Sequence, residues 1–360
     1  MRILVGILDM GLGHATRALP VLRYLVQQGH EVIVGSGGRA LALVRKELPE
    51  VPTVELPGYG LRYARGQATA LKLVCQIPAF LQAVRREHIL CKHLVRRFRP
   101  DVIFSNHCYG MYHPEVYSLL LIHQVYFELP EMVRFLRRPA GCVHRMLYRG
   151  FHRILIPDYP SEDGGRLTGR LSECPVGDSR YAYMGILSSL PKSQFDGDPI
   201  DVLISVSGPE PQRTIFERIV LEQSARLDGR VVVVLGKPEE DTCYTEGSLT
   251  VYSHVSRREM AGLMQRARCI VSRSGYSTVM ELVELGKKAL LVPTPGQTEQ
   301  EYLARRFLEK GWFYAVPQAH LMLSRDLARA CTFPGLHIPY ATAATVRRVC
   351  RYITRPYAAG

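Results

Sequence analysis

Two short stretches of the chain carry residue types suited to holding and moving charged groups. In the first, Ser272, Arg273, Ser274 and Gly275 follow an apolar run and lead into helical spacing, so the amides of Tyr276, Ser277 and Thr278 would open a helix. Unpaired amides at a helix start attract anions. Gly275 would let a phosphate approach the backbone, the hydroxyls of Ser277 and Thr278 add donors, and Glu281, six residues on, is a bidentate acceptor for a ribose diol. Taken alone, the same turn also fits an ordinary helix start with Ser274 as N-cap and Glu281 on the surface. In the second stretch, Gly11, Leu12 and Gly13 turn the chain after its first apolar run and end at His14. A helix amino terminus disfavours imidazolium, which would leave His14 neutral and able to accept a proton. Asp9 is the second candidate base, and the plainer role for His14 is to order the glycine turn.

The elements needed to position these residues follow from apolar spacing. Ile3 to Leu8 predicts a buried strand, and Ala15, Ala18, Leu19, Leu22, Leu25 and Val26 predict a helix ending at Gly29. Strands at Val32, Val54, Val102, Leu119, Ile154 and Tyr181 alternate with helices through the first half. The pattern restarts at Val202, with further strands at Val231, Leu249, Cys269 and Ala289. Alternation of this kind implies parallel sheets covered on both faces, with ligands bound beyond the carboxyl ends of the strands. The fold class is therefore α/β, with two Rossmann-like domains facing each other across a cleft. Residues 1–184 form the first domain, 185–199 a linker rich in Ser, Pro, Gly and Asp, 200–340 the second domain, and 341–360 a helix crossing back to the first.

Several chemistries are excluded. The dinucleotide fingerprint fails because Thr16 occupies its third glycine position and the second strand ends in Val34, Gly35, Ser36 and Gly37, without a carboxylate for a ribose. The chain has neither a Walker loop nor a Gly-x-Ser-x-Gly elbow. His88, Cys91 and His93 lack a second pair at metal-finger spacing, so no metal and no resident cofactor are expected. The nine cysteines are scattered with no Cys-x-x-Cys pair, which reads as reduced thiols in a cytoplasmic protein. The apolar run after Arg2 stops at Asp9, too short for a signal-peptide core, and reads as a first strand; no apolar run is long enough to span a bilayer.

Charge is uneven along the 360 residues. Lys plus Arg number 46 against 33 Asp plus Glu, a net of +13, and most of the excess lies before residue 190. Lys72 to Arg99 and Arg134 to Arg153 concentrate it, the second as Arg134, Phe135, Leu136, Arg137 and Arg138 followed by Met146, Leu147 and Tyr148 between Arg145 and Arg149. Such segments could rest on an anionic membrane surface or form solvated helix faces. No recognition motif accompanies the charge, so nucleic acid is not an expected partner.

The run from Ser272 to Leu282, followed by Leu291-Val292-Pro293 and Gln297 to Tyr302, resembles the donor-nucleotide signature of the GT-B glycosyltransferases. The similarity is to the family 28 inverting enzymes, which include the peptidoglycan-precursor N-acetylglucosaminyltransferase, and Gly11-Leu12-Gly13-His14 matches their amino-terminal turn. The resemblance implies a nucleotide-sugar donor, a UDP-sugar, and a glycan or lipid-linked acceptor. It implies that Glu281 binds the ribose, Ser277 and Thr278 the diphosphate, Ser207 and Gly208 a second phosphate loop, His254 and Val255 the base, and Gln300 and Glu301 the sugar. The family's two glutamines and later asparagine are here Gln300, Glu301 and Ala304, and Ser189 stands near the place of a linker arginine. On the acceptor side, Ser105, Asn106, His107 and Tyr109 end one strand, and His123, Gln124 and Tyr126 end another. The expected reaction is inverting transfer with His14 as base, metal-independent, in the cytoplasm or at the inner face of the plasma membrane. A nucleotide-sugar hydrolase and a non-catalytic nucleotide-sugar sensor share these motifs.

Overall fold

A computed structural model describes residues 1–60, 69–126, 128, 137–190, 196–237, 239–339 and 341–355. They form two compact units. The first holds residues 1–62, 70–189 and 340–360, and the second includes residues 190–339.

The first unit runs β1 (Arg2–Ile7), α1 (Leu12–Gln27), β2 (Glu31–Ser36), α2 (Gly38–Glu47), β3 (Thr53–Glu55), α3 (Thr69–Phe98), β4 (Val102–Asn106), β5 (Tyr117–Leu121), α4 (Arg137–Tyr148) and β6 (Arg153–Ile156). A two-stranded ribbon of β7 (Pro160–Ser161) and β8 (Gly164–Gly165) precedes β9 (Tyr181–Tyr183). Its main sheet has the order β3-β2-β1-β4-β5-β6-β9 and is parallel throughout. Both faces are covered, which is why β1 and β4 are buried almost end to end, β4 turning polar only at Ser105 and Asn106. Helix α1 stops where Gly29 takes φ +76°, and the amides of Gly29 and His30 close onto the carbonyls of Val26 and Leu25.

The second unit runs β10 (Ile200–Ser205), α5 (Gln212–Ser224), β11 (Val231–Val234), β12 (Cys243–Glu246), β13 (Leu249–Tyr252), α6 (Arg257–Arg266), β14 (Ala267–Ser272), α7 (Tyr276–Leu285), β15 (Lys288–Leu291), α8 (Thr298–Glu309), β16 (Tyr314–Ala315) and α9 (Leu323–Ala330). The strand order is β12-β13-β11-β10-β14-β15-β16. The α/β fold of two parallel-sheet domains is as the alternation predicts, with one addition: β12 runs antiparallel on β13. All four of its residues are exposed, so no apolar pattern announces it.

The linker is shorter than its composition suggests. Ile186, Leu187 and Ser188 are buried within the first unit, and the Ser188 amide donates to Thr342 Oγ1 at 2.7 Å. Thr342 lies on α10 (Ala341–Thr354), whose Val346, Val349, Cys350 and Ile353 share one core with Ala15, Leu19 and Leu22 of α1. Of the basic segment expected on α4, residues 134–136 lie outside the described residues. Arg145, Met146 and Arg149 are exposed, while Leu147 and Tyr148 belong to the core.

A buried carboxyl grips the turn that follows β4. Glu87 on α3, 1% exposed, accepts from the Gly110 amide at 2.6 Å and from the Tyr59 hydroxyl at 2.7 Å, and that hydroxyl accepts from the Tyr109 amide. Gly110 admits no side chain, since a Cβ there would lie 2.5 Å from the Val84 carbonyl. Burial pushes the Glu87 carboxyl up to about 7 against the hydrogen bonds that favour its ionised form.

Two stability outcomes follow from this packing. Ile353→Ala empties a fully buried site between α10 and α1, and urea titration should show a loss of about 2–5 kcal/mol. Native Glu87 keeps its proton to about pH 7, whereas the unfolded carboxyl releases it near pH 4.5. This contribution is therefore complete below about pH 4.5 and fades as pH rises to 7. Relative to Glu87→Gln, the native chain should lose about 3 kcal/mol across that window, and equal pH profiles would contradict the assignment.

Candidate functional site

Parallel register brings the strand ends of each unit to a common edge. In the first sheet, Ile7 pairs with Asn106 and Asn106 with Leu121, so the segments after β1, β4 and β5 lie side by side. They bring together His14, Asn106, His107 and His123, which lie far apart in sequence. The His14 and His107 ring centroids are 4.5 Å apart, and those of His107 and His123 are 4.8 Å apart. His107 takes φ +63°, a left-handed conformation unusual for a residue with a side chain.

At the centre of these rings is a residue that sequence reasoning missed. Arg17, three positions after His14 on α1 and 2% exposed, donates from Nη2 to Nδ1 of His14 at 2.5 Å and to Asn106 Oδ1 at 3.1 Å. Its Nη1 lies 3.1 Å from His123 Nδ1, and Nη2 lies 3.4 Å from His107 Nδ1. Burial, then the Arg17 charge, then His123 hold His14 well below the usual imidazole range, against the Asn106 side chain, which pulls the other way. His107 is also held well below that range, by burial and then by His14, Arg17 and His123. The signal available in the sequence was an arginine one turn after His14, between the apolar positions Ala15, Ala18 and Leu19 of the helix stripe.

The other first-unit candidates divide. Gly11 caps α1 with φ +78°, while Leu12 and Gly13 form its first turn, with the Gly13 carbonyl accepting from Thr16 Oγ1. Asp9 is half-buried and accepts at Oδ1 from the Ala40 amide at the start of α2, 3.2 Å away. Tyr109 does not line an open edge: its ring packs with Tyr59, Phe80 and Tyr148 in the core. Gln124 is buried, and its carbonyl accepts from the Tyr148 hydroxyl. His88 and Cys91 also serve locally, His88 donating to the Gly110 carbonyl and the Cys91 thiol to that of Tyr112.

In the second unit, Val234, Ser205, Ser272 and Leu291 are neighbours across the sheet, so the turns after β11, β10, β14 and β15 share an edge. Helix α7 starts at Tyr276 behind Gly275, a cap residue with no side chain of its own to supply a capping bond. Ser277 and Thr278 are half-buried in its first turn. Glu281 is 7% exposed, and its Oε1 lies 2.5 Å from Nη2 of Arg257, the first residue of α6. Ser207 and Gly208 are exposed, with Gly208 at φ +116°. His254 is exposed and Val255 buried just before α6, whose cap is Ser256 boxed with Glu259.

Two donor-side expectations need correction. The Arg273 side chain does not reach outward to a ligand: it is 2% exposed, and all five of its N–H donors are used inside the unit. Its Nε donates to the Ser207 carbonyl, Nη1 to those of Val292 and Pro293, and Nη2 to the Gln212 carbonyl and Gln318 Oε1. The guanidinium also lies over the Phe216 ring at 4.1 Å. The side chain therefore ties the surrounding turns together and has no donor left for a diphosphate. Ser274 is likewise occupied, its hydroxyl donating to the Gln300 carbonyl at 2.8 Å. Tyr276 is buried, so only its backbone is placed at the edge. Gln300 and Glu301 brace the turn after β15, accepting from the amides of Thr294 and Gly296 at 2.9 Å each.

Known proteins resemble both halves of the chain. The model described as glycosyltransferase family 28 C-terminal domain matches residues 208–332, and that described as glycosyl transferase family 1 matches residues 1–123. The UDP-N-acetylglucosamine--N-acetylmuramyl-(pentapeptide) pyrophosphoryl-undecaprenol N-acetylglucosamine transferase of Methylobacterium nodulans is 33% identical over 304 residues, covering 81% of this chain and 77% of its own. An uncharacterized glycosyltransferase of Methanosarcina acetivorans is 26% identical over 336 residues, 87% of this chain and 84% of the other. Among solved structures, the glycotransferase of kitacinnamycin superposes with TM-score 0.65 at 16% identity, over 98% of this chain and 94% of that one. MurG of Acinetobacter baumannii does so with TM-score 0.57 at 16% identity, over 98% and 100%. With these matches in both halves, the chain belongs to the family 28 glycosyltransferases and is a glycosyltransferase of the GT-B fold.

Proposed function

We propose that the enzyme transfers a sugar, with inversion, from a UDP-sugar bound at the edge of the second unit to a hydroxyl acceptor bound at the edge of the first. The observation that carries this reading is the start of α7, where amides stand behind Gly275 and Glu281 follows within two turns. Amides aimed at an anion stabilise charge that develops on a departing diphosphate. Glu281 accepts the ribose hydroxyls, and Arg257 keeps its carboxylate oriented before the nucleotide arrives. Ser207 and Gly208 supply the second phosphate turn, and His254 and Val255 the contact with the base.

The acceptor oxygen bonds to the anomeric carbon as the carbon–oxygen bond to the diphosphate breaks, the electron pair leaving with the nucleoside diphosphate. The acceptor proton passes to a base of the first unit, for which the turn after β1 offers His14 and Asp9. No metal is required in this scheme: the five partners of Arg273 are uncharged oxygens, so a buried positive charge lies beneath the phosphate turns in addition to the α7 amides. The name of the Methylobacterium relative supports a lipid-linked acceptor and a role in cell-envelope or glycan synthesis. Such an acceptor favours work at the cytoplasmic face of a membrane; no helix among the described residues is long and apolar enough to cross one.

Thermal unfolding with a panel of nucleotides checks the donor assignment. UDP at a hundredfold excess over its Kd should stabilise the protein by about 2.7 kcal/mol, and ADP, GDP and dTDP by less. Glu281→Ala should weaken UDP binding about 10-fold or more, the loss of a hydrogen-bonded charged group. Turnover should persist in EDTA and require acceptor. Release of free sugar without acceptor would instead mark a hydrolase, and binding without consumption a sensor.

A further inference from the structure

Resting on the reading that His14 meets the substrates, we propose that Arg17 is a positioning residue that makes His14 a neutral hydrogen-bond donor, with its proton on Nε2, and so leaves the acceptor proton to Asp9. The argument starts from what a guanidinium can do. Its nitrogens only donate, so the ring nitrogen that faces it must present a lone pair. Arg17 Nη2 is 2.5 Å from His14 Nδ1. A neutral imidazole carries one proton, which is then on Nε2. In that form Nε2 can donate to a substrate oxygen but has no lone pair with which to take a hydroxyl proton.

Protonating His14 to open that route would place a second positive charge against the first. Among the described residues, the groups seen against the ring are uncharged or cationic: Arg17 comes from the same helix, Asn106 and His107 from the end of β4, and His123 from the segment after β5. Asn106 is neutral, its Oδ1 is already taken by Arg17, and its Nδ2 fastens the segment by donating to the His14 carbonyl at 2.9 Å. Asp9 is the carboxylate on the same turn. Its Oδ1 accepts from the Ala40 amide at the start of α2, which orients the group. In the resulting step the acceptor O–H bond breaks toward the Asp9 carboxylate, the oxygen–carbon bond forms, and the diphosphate leaves with the electron pair. His14 Nε2–H meanwhile donates to a substrate oxygen.

Nitrogen-15 NMR of the full-length enzyme, with histidines labelled and the His14 signals identified by their loss in His14→Gln, reads the tautomer directly. The expected spectrum has His14 Nδ1 unprotonated and Nε2 protonated from about pH 6 to 8. In Arg17→Met the preference should weaken and His14 should titrate closer to about pH 6.5, and Arg17→Lys should restore part of the wild-type behaviour. A proton on Nδ1 in the wild type, or a wild-type His14 that titrates near the ordinary imidazole value, overturns the proposal. Kinetics with a UDP-sugar add a second readout. His14→Gln keeps an N–H donor and should retain at least about tenfold more kcat than His14→Ala, whereas Asp9→Asn should lose about a hundredfold or more. Equal inactivity of the Gln and Ala variants, or near-normal kcat in Asp9→Asn, also overturns it. The NMR result needs no turnover, so its failure is distinguishable from failure of the transferase reading.

Discussion

Parallel strand pairing governs every other feature of this protein. A parallel sheet sends every carboxyl end to one edge, and the turns emerging there are the parts of the strand–helix repeat most free to carry polar side chains. In the first unit this gathers His14, Asn106, His107 and His123 from three separate segments of the chain. In the second it sets the Ser207, Arg273 and Thr294 turns beside one another. The apolar strands behind them hold these positions, because each is buried within a covered sheet.

Each edge is organised by one buried arginine, and the two do so differently. Arg273 is satisfied by four backbone carbonyls and one side-chain oxygen, so it works as a brace between turns. Burial lowers it to about 10, which still leaves it charged at neutral pH. Arg17 is directed instead to imidazole nitrogens and an amide oxygen. There the same donor-only chemistry selects tautomers as well as positions, because the ring nitrogen it faces cannot also carry a proton. A buried cation thus serves as scaffold at the edge of the second unit and faces imidazole nitrogens at the edge of the first.

The grip of α3 on the turn after β4 extends this organisation outward. Glu87 holds Gly110 and Tyr59, and Tyr59 in turn holds Tyr109, two residues after the left-handed His107. The turn that carries His107 therefore has little freedom, which suits a site whose rings must keep a fixed relation to Arg17. The basic character of the first half is partly internal to the fold, since Arg17 is buried, while Arg145 on α4 and Arg149 just after it remain on the surface.

Much of the architecture was legible from apolar spacing, because strands buried on both faces leave continuous apolar runs and their covering helices leave stripes. The glycine turn before His14 and the Ser-Gly turn before Glu281 were legible for a related reason: a helix start beside a strand end needs those residue types. The edge strand β12 was not, because an exposed strand on the rim buries no face and leaves no alternation. Nor was the extent of the linker, where Ile186 and Leu187 look like any short apolar pair until α10 covers them. Residue types and local spacing were enough to say which groups could do chemistry and on which kind of turn they stand. Which of those groups stay open at a strand edge and which face each other was settled by packing, because the direction of a side chain such as Arg273, and the hydrogen bond on Nδ1 of His14, depend on partners that sequence distance does not reveal.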